Sequence, residues 1–232
     1  MTALRVTDSA FAQVRYTFTA QFIEAAAIFV RKASDIEANY SGTLSEDLRS
    51  EHRGFVSTAI MQCAAALETE AHEICAYGPG SHRGSNGTDY KAQWLLAPLA
   101  DFIDDQDTLS RYRIIFHILQ IPFLHSDREP FRSTKLVVRL RNEITHYKSR
   151  WGEEMSRSKL FRALESLRHK PPPFTQPNQN FFPHRCLGAE CGAWAVRSTV
   201  AFLDEVYRAL GVTSRFEPYR ESYCRSDALF LD

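Results

Sequence analysis

The stretch STAIMQCAAALETEAHEICA, residues 57–76, is built almost entirely from strong helix formers and contains neither Gly nor Pro. Read together with the residues before it, its apolar positions Val56, Ile60, Cys63, Leu67, Ala71 and Ile74 recur at steps of three and four. That is the period of a helix with one buried stripe, and it predicts a long helix over residues 45–77. Glu70 falls on the same stripe. It is therefore expected to be a buried carboxylate in need of a cationic partner.

The pattern extends outward in both directions. Residues 8–34 carry Phe11, Val14, Phe18, Phe22, Ile23, Ala26, Ile28 and Phe29 at similar steps behind Asp8 and Ser9, so a first long helix with a polar cap is expected there. YGPGSHRGSNGTDY, residues 77–90, concentrates Gly, Pro, Ser and Asn and reads as a surface loop. Two short helices are expected over 91–104 and 108–121, limited by Pro98 and Pro122. Another is expected over 129–148, with Pro130 in its first turn.

A helix over 153–168 leads into HKPPPFTQPNQNFFPH, residues 169–184, a proline-rich crossing that cannot be regular structure. A last helix over 188–210 ends at Gly211, a natural residue to close it. No segment alternates long enough for a strand, and there is no GxGxxG, P-loop, repeat or heptad run. The expected fold is an all-α bundle, one domain over 1–211 with two long N-terminal helices, followed by a loosely docked tail over 212–232.

Composition narrows the partners. Lys plus Arg balances Asp plus Glu at 28 each, so no global field draws the chain to nucleic acid or an acidic membrane. Locally the balance breaks. Residues 128–170 hold twelve basic side chains (Arg128, Arg132, Lys135, Arg139, Arg141, Lys148, Arg150, Arg157, Lys159, Arg162, Arg168 and Lys170) against five acidic ones (Glu129, Glu143, Glu153, Glu154 and Glu165). The N-terminal residues lack an apolar signal core, and no run is long enough to span a bilayer, so a cytoplasmic protein without membrane contact is expected. Five cysteines (Cys63, Cys75, Cys186, Cys191 and Cys224) at irregular spacing argue against a disulfide framework and fit a reducing compartment.

Within the basic window lies RLRNEITHYKSRW, residues 139–151. At about 100° per residue, Leu136, Val137, Leu140, Ile144 and Tyr147 form the core-facing stripe. Arg141 falls just beyond one edge and His146 beyond the other, about 140° apart, with Asn142 and Thr145 on the outward arc. The motif is expected to face away from its own core. Its chemistry suits a phosphodiester: Arg carries a permanent planar charge for phosphate oxygens, and His exchanges a proton near neutral pH. His146 would move the proton of the 2′-hydroxyl or of the leaving 5′-oxygen, Arg141 would stabilise the phosphorane-like transition state, and Asn142 would orient His146 or the phosphate. The alternative is a non-catalytic helical RNA-binding or protein-interaction module, in which Arg and His serve only as phosphate contacts.

LRNEITHY in a late helix, AAALETEAHEI in a preceding long helix, and helices on both sides resemble the HEPN superfamily, whose hallmark is Arg, a polar residue that is often Asn, three variable residues and His. The resemblance covers residues 8–210. It implies that Arg141 and His146 are the catalytic pair and that Asn142 is their polar companion; of Glu68 and Glu70, either of which could pair with Arg141 in a structural salt bridge, it favours Glu68 as the supporting residue. It further implies a metal-independent endoribonuclease without cofactor, leaving 2′,3′-cyclic phosphate ends, with a composite site in a homodimer. Many such proteins act in toxin–antitoxin or antiphage systems, which implies an antitoxin or another neutralising partner. Family members that undergo tyrosine modification carry Tyr two residues after the His, where this chain has Lys148; Tyr147 comes one residue too early.

Other residues read as structural. His184, Cys186 and Cys191 are soft ligands without regular spacing or a fourth partner, so no metal site is expected. His117, between Phe116 and Ile118, reads as a core or interface histidine, and Trp94, Trp151 and Trp194 read as isolated packing anchors.

Overall fold

The computed structural model describes residues 17–77, 94–122, 127–148, 154, 157–214 and 216. Among the described residues there is no strand, and the chain is all-α. Its helices are α1 (Thr19–Ala38), α2 (Glu46–Tyr77), α3 (Ala100–Asp104), α4 (Thr108–Ile118), α5 (Phe131–Thr145), α6 (Lys159–Glu165) and α7 (Ala189–Ala209). A tight turn at Ala97–Leu99 precedes α3, and a wide helical turn at Phe181–Arg185 precedes α7.

The axis of the bundle is α2. Its 32 residues span about 48 Å at 1.5 Å per residue, and α1, α3, α4, α5 and α7 all pack against it. The expected stripe of Val56, Ile60, Cys63, Leu67, Ala71 and Ile74 is buried throughout. So are Ala59, Ala64, Ala66 and Cys75, because neighbours surround the helix on most sides.

Small residues let α1 lie close to this axis. Its buried face is Ile23, Ala26, Ala27, Val30 and Ala33, whereas Phe18 and Ile28, expected on the stripe, are exposed. The helix starts at Thr19 instead of residue 8 and runs to Ala38, four residues past the expected end. Asp8, Ser9, Phe11 and Val14 lie outside the described residues. Its first turn is satisfied from a distance: the Phe18 N–H donates to the Glu73 carboxylate of α2 at 2.8 Å, and the Thr19 hydroxyl donates to it at 3.2 Å. On the other flank α7 approaches so closely that a Cβ added at Gly192 would stand 3.0 Å from Val30 Cγ2. Only glycine fits that crossing without displacing Val30.

Glu37, near the end of α1, ties three elements. Its Oε1 accepts from the Ala189 N–H at the start of α7 at 2.7 Å and lies 2.8 Å from Nε2 of buried His52 on α2. One carboxylate thus satisfies an orphan helix N–H and a core histidine. Glu70 is buried as expected; the Tyr207 hydroxyl of α7 donates to it at 2.7 Å.

The short helices follow their caps. Asp107 accepts from Ser110 N at 3.2 Å and starts α4, which ends at Ile118, short of Pro122. Pro130 sits at the N-cap of α5, one position before the expected first turn. Of the segment expected as helix over 153–168, Lys159–Glu165 forms α6, Glu154 and Arg157 are helical as well, and Ser158 interrupts the run. The proline-rich crossing is irregular as expected except at its end, where the turn Phe181–Arg185 forms around non-helical Phe182. Gly211 closes α7 at φ +73. Just beyond it Phe216 is fully buried, edge-on to Tyr207 with ring centroids 5.9 Å apart, so the described start of the tail is firmly docked. The loop 78–90 lies outside the described residues.

Two contacts set the position of α5. Phe131 and Tyr112 both pack edge-on against Phe202 of α7, with centroids 6.0 and 5.0 Å away. The Thr134 hydroxyl donates to the Ser198 carbonyl of α7 at 3.2 Å. The Tyr112 hydroxyl donates to Leu67 O at 2.7 Å, which locks α4 to the middle of α2 beside α5.

Candidate active site

Helix α5 has two distinct faces. Phe131, Thr134, Leu136, Val137 and Leu140 are buried against α2 and α7. Arg132, Lys135, Arg139 and Asn142 are exposed at steps of three, four and three, a single outward stripe that is cationic until its last member. Such a row of Arg and Lys along one ridge suits successive phosphates of a nucleic-acid strand.

Arg141 does not lie on that stripe. Its guanidinium turns sideways, where Nη2 donates to Glu68 Oε1 of α2, and the Thr108 hydroxyl at the start of α4 donates to the same oxygen at 2.9 Å. The side chains are 22% exposed for Arg141 and 36% for Glu68. Arg141 is therefore held by a charge-assisted bond while its side chain stays part-exposed. The expectation that the whole motif faces outward fails for this residue, because the stripe edge it occupies borders α2, and Glu68 there offers the compensating charge.

His146 differs from the helical-wheel expectation for another reason. The helix ends at Thr145, and His146 is its C-cap, at φ −119 and ψ 34. Its exposed ring is placed by a turning backbone and not by helical geometry. The contact between Asn142 and His146 is through the main chain, with His146 N–H donating to Asn142 O at 2.9 Å. The Asn142 side chain is exposed and free to meet a ligand. Tyr147, expected on the core stripe, has left the helix and is 46% exposed, tilted against Phe182 at a centroid distance of 5.7 Å.

Beside this site stands a histidine that the sequence did not single out. His72 lies one turn beyond Glu68 on the same side of α2, half exposed, with Nδ1 2.6 Å from Asp104 Oδ2. Asp104 is held in turn by Arg111, whose Nη1 donates to Oδ1 at 3.2 Å. An Asp-oriented imidazole is a competent proton carrier. The signal in the sequence was the Glu68 to His72 spacing, but nothing there pointed to Asp104, which comes from the α3–α4 corner.

Residues read as structural divide. Trp194 is buried on α7, its ring 5.3 Å from that of His169. Trp94 is 73% exposed and anchors no packing, His117 is exposed on α4 and not in the core, and Trp151 lies outside the described residues. Cys186 and Cys191 are buried side by side; a hydrogen bond between them and burial both push the Cys186 thiol up. His184 instead faces Arg53, whose Nη2 is 3.5 Å from Nδ1. Burial first, then Arg53 and Arg49, pull its pKa down. Among the described residues no group of three or more His, Cys, Asp or Glu is placed to hold a metal ion, and no helix is long and apolar enough to cross a membrane.

Comparison with protein-family models, with curated proteins and with solved structures returns no match.

Proposed function

We propose that this chain is a metal-independent endoribonuclease of HEPN type, acting in a prokaryotic toxin–antitoxin or antiphage system. The observation that carries the reading is the junction at the end of α5. There a basic exposed stripe leads to an anchored, partly open Arg141 and to an exposed His146 just past the last helical turn.

In this reading the strand lies along Arg132, Lys135 and Arg139, which bring a phosphodiester to the C-terminal end of α5. The 2′-oxygen attacks phosphorus, forming the new O2′–P bond as the P–O5′ bond breaks. Its proton passes to a base, and a second proton reaches the departing 5′-oxygen; His146 serves as one of these carriers. Arg141 stabilises the charge that grows on the equatorial phosphoryl oxygens, already oriented by Glu68. Asn142, with its amide exposed, contacts the phosphate rather than the imidazole. The products are a 2′,3′-cyclic phosphate and a free 5′-hydroxyl. A homodimer pairing the ends of two α5 helices supplies a second Arg141 and His146 across the groove, and an antitoxin covering this basic surface neutralises it.

The test is cleavage of single-stranded RNA in EDTA, with analysis of product ends, by the wild type and by Arg141→Ala, His146→Ala and Asn142→Ala. Loss of cleavage in the first two, with a smaller loss in the third, is the expected result. RNA binding without cleavage by the wild type would leave the second reading, a non-catalytic RNA-binding module, which the same basic stripe supports.

A further inference from the structure

Between α6, the proline-rich crossing and the turn Phe181–Arg185 lies a cavity of about 210 Å³. Leu164, Pro171 and Phe181 give it apolar walls, while Arg168, Arg185 and Glu165 bring charge to it. Arg185 Nη1 and Glu165 Oε1 are 3.9 Å apart, a loose pair that leaves the guanidinium able to take another acceptor. Arg168 stands on a left-handed backbone at φ +56, immediately before His169.

His169 also lines the cavity. Its Nε2 is buried and has no hydrogen-bond partner among the described residues. A buried polar atom without a partner is uncommon, and in a residue that borders a cavity it is a hydrogen-bond site that an occupant satisfies once the ring turns toward it. Burial, ahead of the opposing pull of Glu190, lowers the pKa of this imidazole, so at neutral pH it is an uncharged donor or acceptor, according to tautomer.

The cavity adjoins the end of α5. Tyr147, next to His146, packs on Phe182 at 5.7 Å, Phe182 stacks on Phe161 at 5.0 Å, and the neighbouring Phe181 forms the cavity wall. The basic stripe and the exposed His146 thus connect to the pocket region through Tyr147 and the buried rings of Phe182 and Phe161. The volume is below the roughly 300–1,000 Å³ of pockets for drug-sized ligands, so the cavity takes one ring system and no more. Single-stranded RNA is read this way, by stacking a splayed base on an aromatic ring and hydrogen-bonding its edge.

We propose that this cavity binds one unpaired nucleobase of an RNA strand, stacked on Phe181 and read at its edge by His169, with the attached phosphate on Arg168 or Arg185. The ribonuclease reading identifies the source of the base, a nucleotide near the scissile bond, and makes the pocket the determinant of where the strand is cut. Binding itself is measurable without cleavage.

The four ribonucleoside 5′-monophosphates and ribose 5-phosphate are titrated by calorimetry into the wild type, His146→Ala, Phe181→Ala and Arg168→Asn. Asn tolerates the left-handed backbone at residue 168, so this variant keeps its fold if Phe181→Ala does not. At least one nucleotide should bind the wild type and His146→Ala alike, with ribose 5-phosphate at least about fivefold weaker, the lower end of what one base–aromatic stack contributes. Both pocket variants should lose at least about fivefold in affinity. Three results overturn the proposal: no nucleotide binding, equal binding of ribose 5-phosphate (a plain anion site), or unchanged affinity in both variants. Nucleotide binding by a wild type that cuts no RNA overturns the ribonuclease reading and leaves the pocket standing. RNA cleavage without nucleotide binding overturns the pocket alone.

Discussion

Replacing Glu68 with Gln separates what positions Arg141 from what stabilises the fold. The side chain keeps its shape, and its carbonyl oxygen still accepts from Arg141 and from Thr108, so the change removes charge and little else. With Glu68 36% and Arg141 22% exposed, the pair lies between a surface bridge worth about 0–1 kcal/mol and a buried one whose breakage costs about 3–5 kcal/mol. A loss of about 1 kcal/mol is expected, which lowers Tm by about 2–4 °C for a chain of this size. The effect on cleavage should be larger. An Arg141 no longer drawn to a carboxylate samples rotamers away from the phosphate, and misplacement by about 1 Å costs up to about 100-fold in rate. Single-turnover RNA cleavage in saturating enzyme, read beside a thermal melt, should therefore show a rate loss of about 10–100-fold with a nearly unchanged fold. Thr108→Val, which removes the second donor to the same oxygen, should fall between wild type and Glu68→Gln. Wild-type cleavage in Glu68→Gln, or a rate loss no larger than its loss of stability, would refute the positioning role.

Further outcomes follow from the same contacts. Neither Arg141→Ala nor His146→Ala subunits should cut RNA alone, but a mixture should regain part of the activity if one intact Arg and one intact His from different chains share a site; no recovery in verified heterodimers would remove the composite site. Glu37→Ala strands the Ala189 N–H and His52 together, and at about 1–3 kcal/mol per unsatisfied group should lower Tm by on the order of 10 °C, measured against the exposed Glu24→Ala as control. Asp107→Ala removes the cap of α4 at a cost of about 1 kcal/mol. The Ser110 hydrogen bond, the largest cause, holds the Asp107 carboxyl below its usual range. Its contribution is thus present above the unfolded carboxylate pKa near about 3.9 and is lost as pH falls through the lower folded value. Urea melts of both proteins from neutral pH downward should converge at the acid end, and a constant difference would be contrary to that linkage.

The class of fold was legible because helical period is a local property. Val56 to Ile74 keep their spacing whatever they pack against, and every member of that stripe is buried. The outward basic residues of α5 and the apolar Leu136, Val137 and Leu140 beneath them were legible for the same reason. Element ends were less so. Phe18 is the residue before α1, and His146 the residue after α5, because caps and turning backbones are set by partners such as Glu73, far away in the chain. The helix ends at Thr145, three residues before the expected 148, and that early end removes the helical-wheel angle between His146 and Arg141. The pairing of Arg141 with Glu68 was expected from resemblance, but Thr108 as the third member was not, nor was Asp104 beside His72. By itself the sequence determined which segments coil and which faces shun water, since both depend on neighbours within one turn. Only the tertiary structure decided which charges meet, because Glu68, Thr108 and Arg141 converge through the packing of α2, α4 and α5, and no local period records the angle at which helices cross.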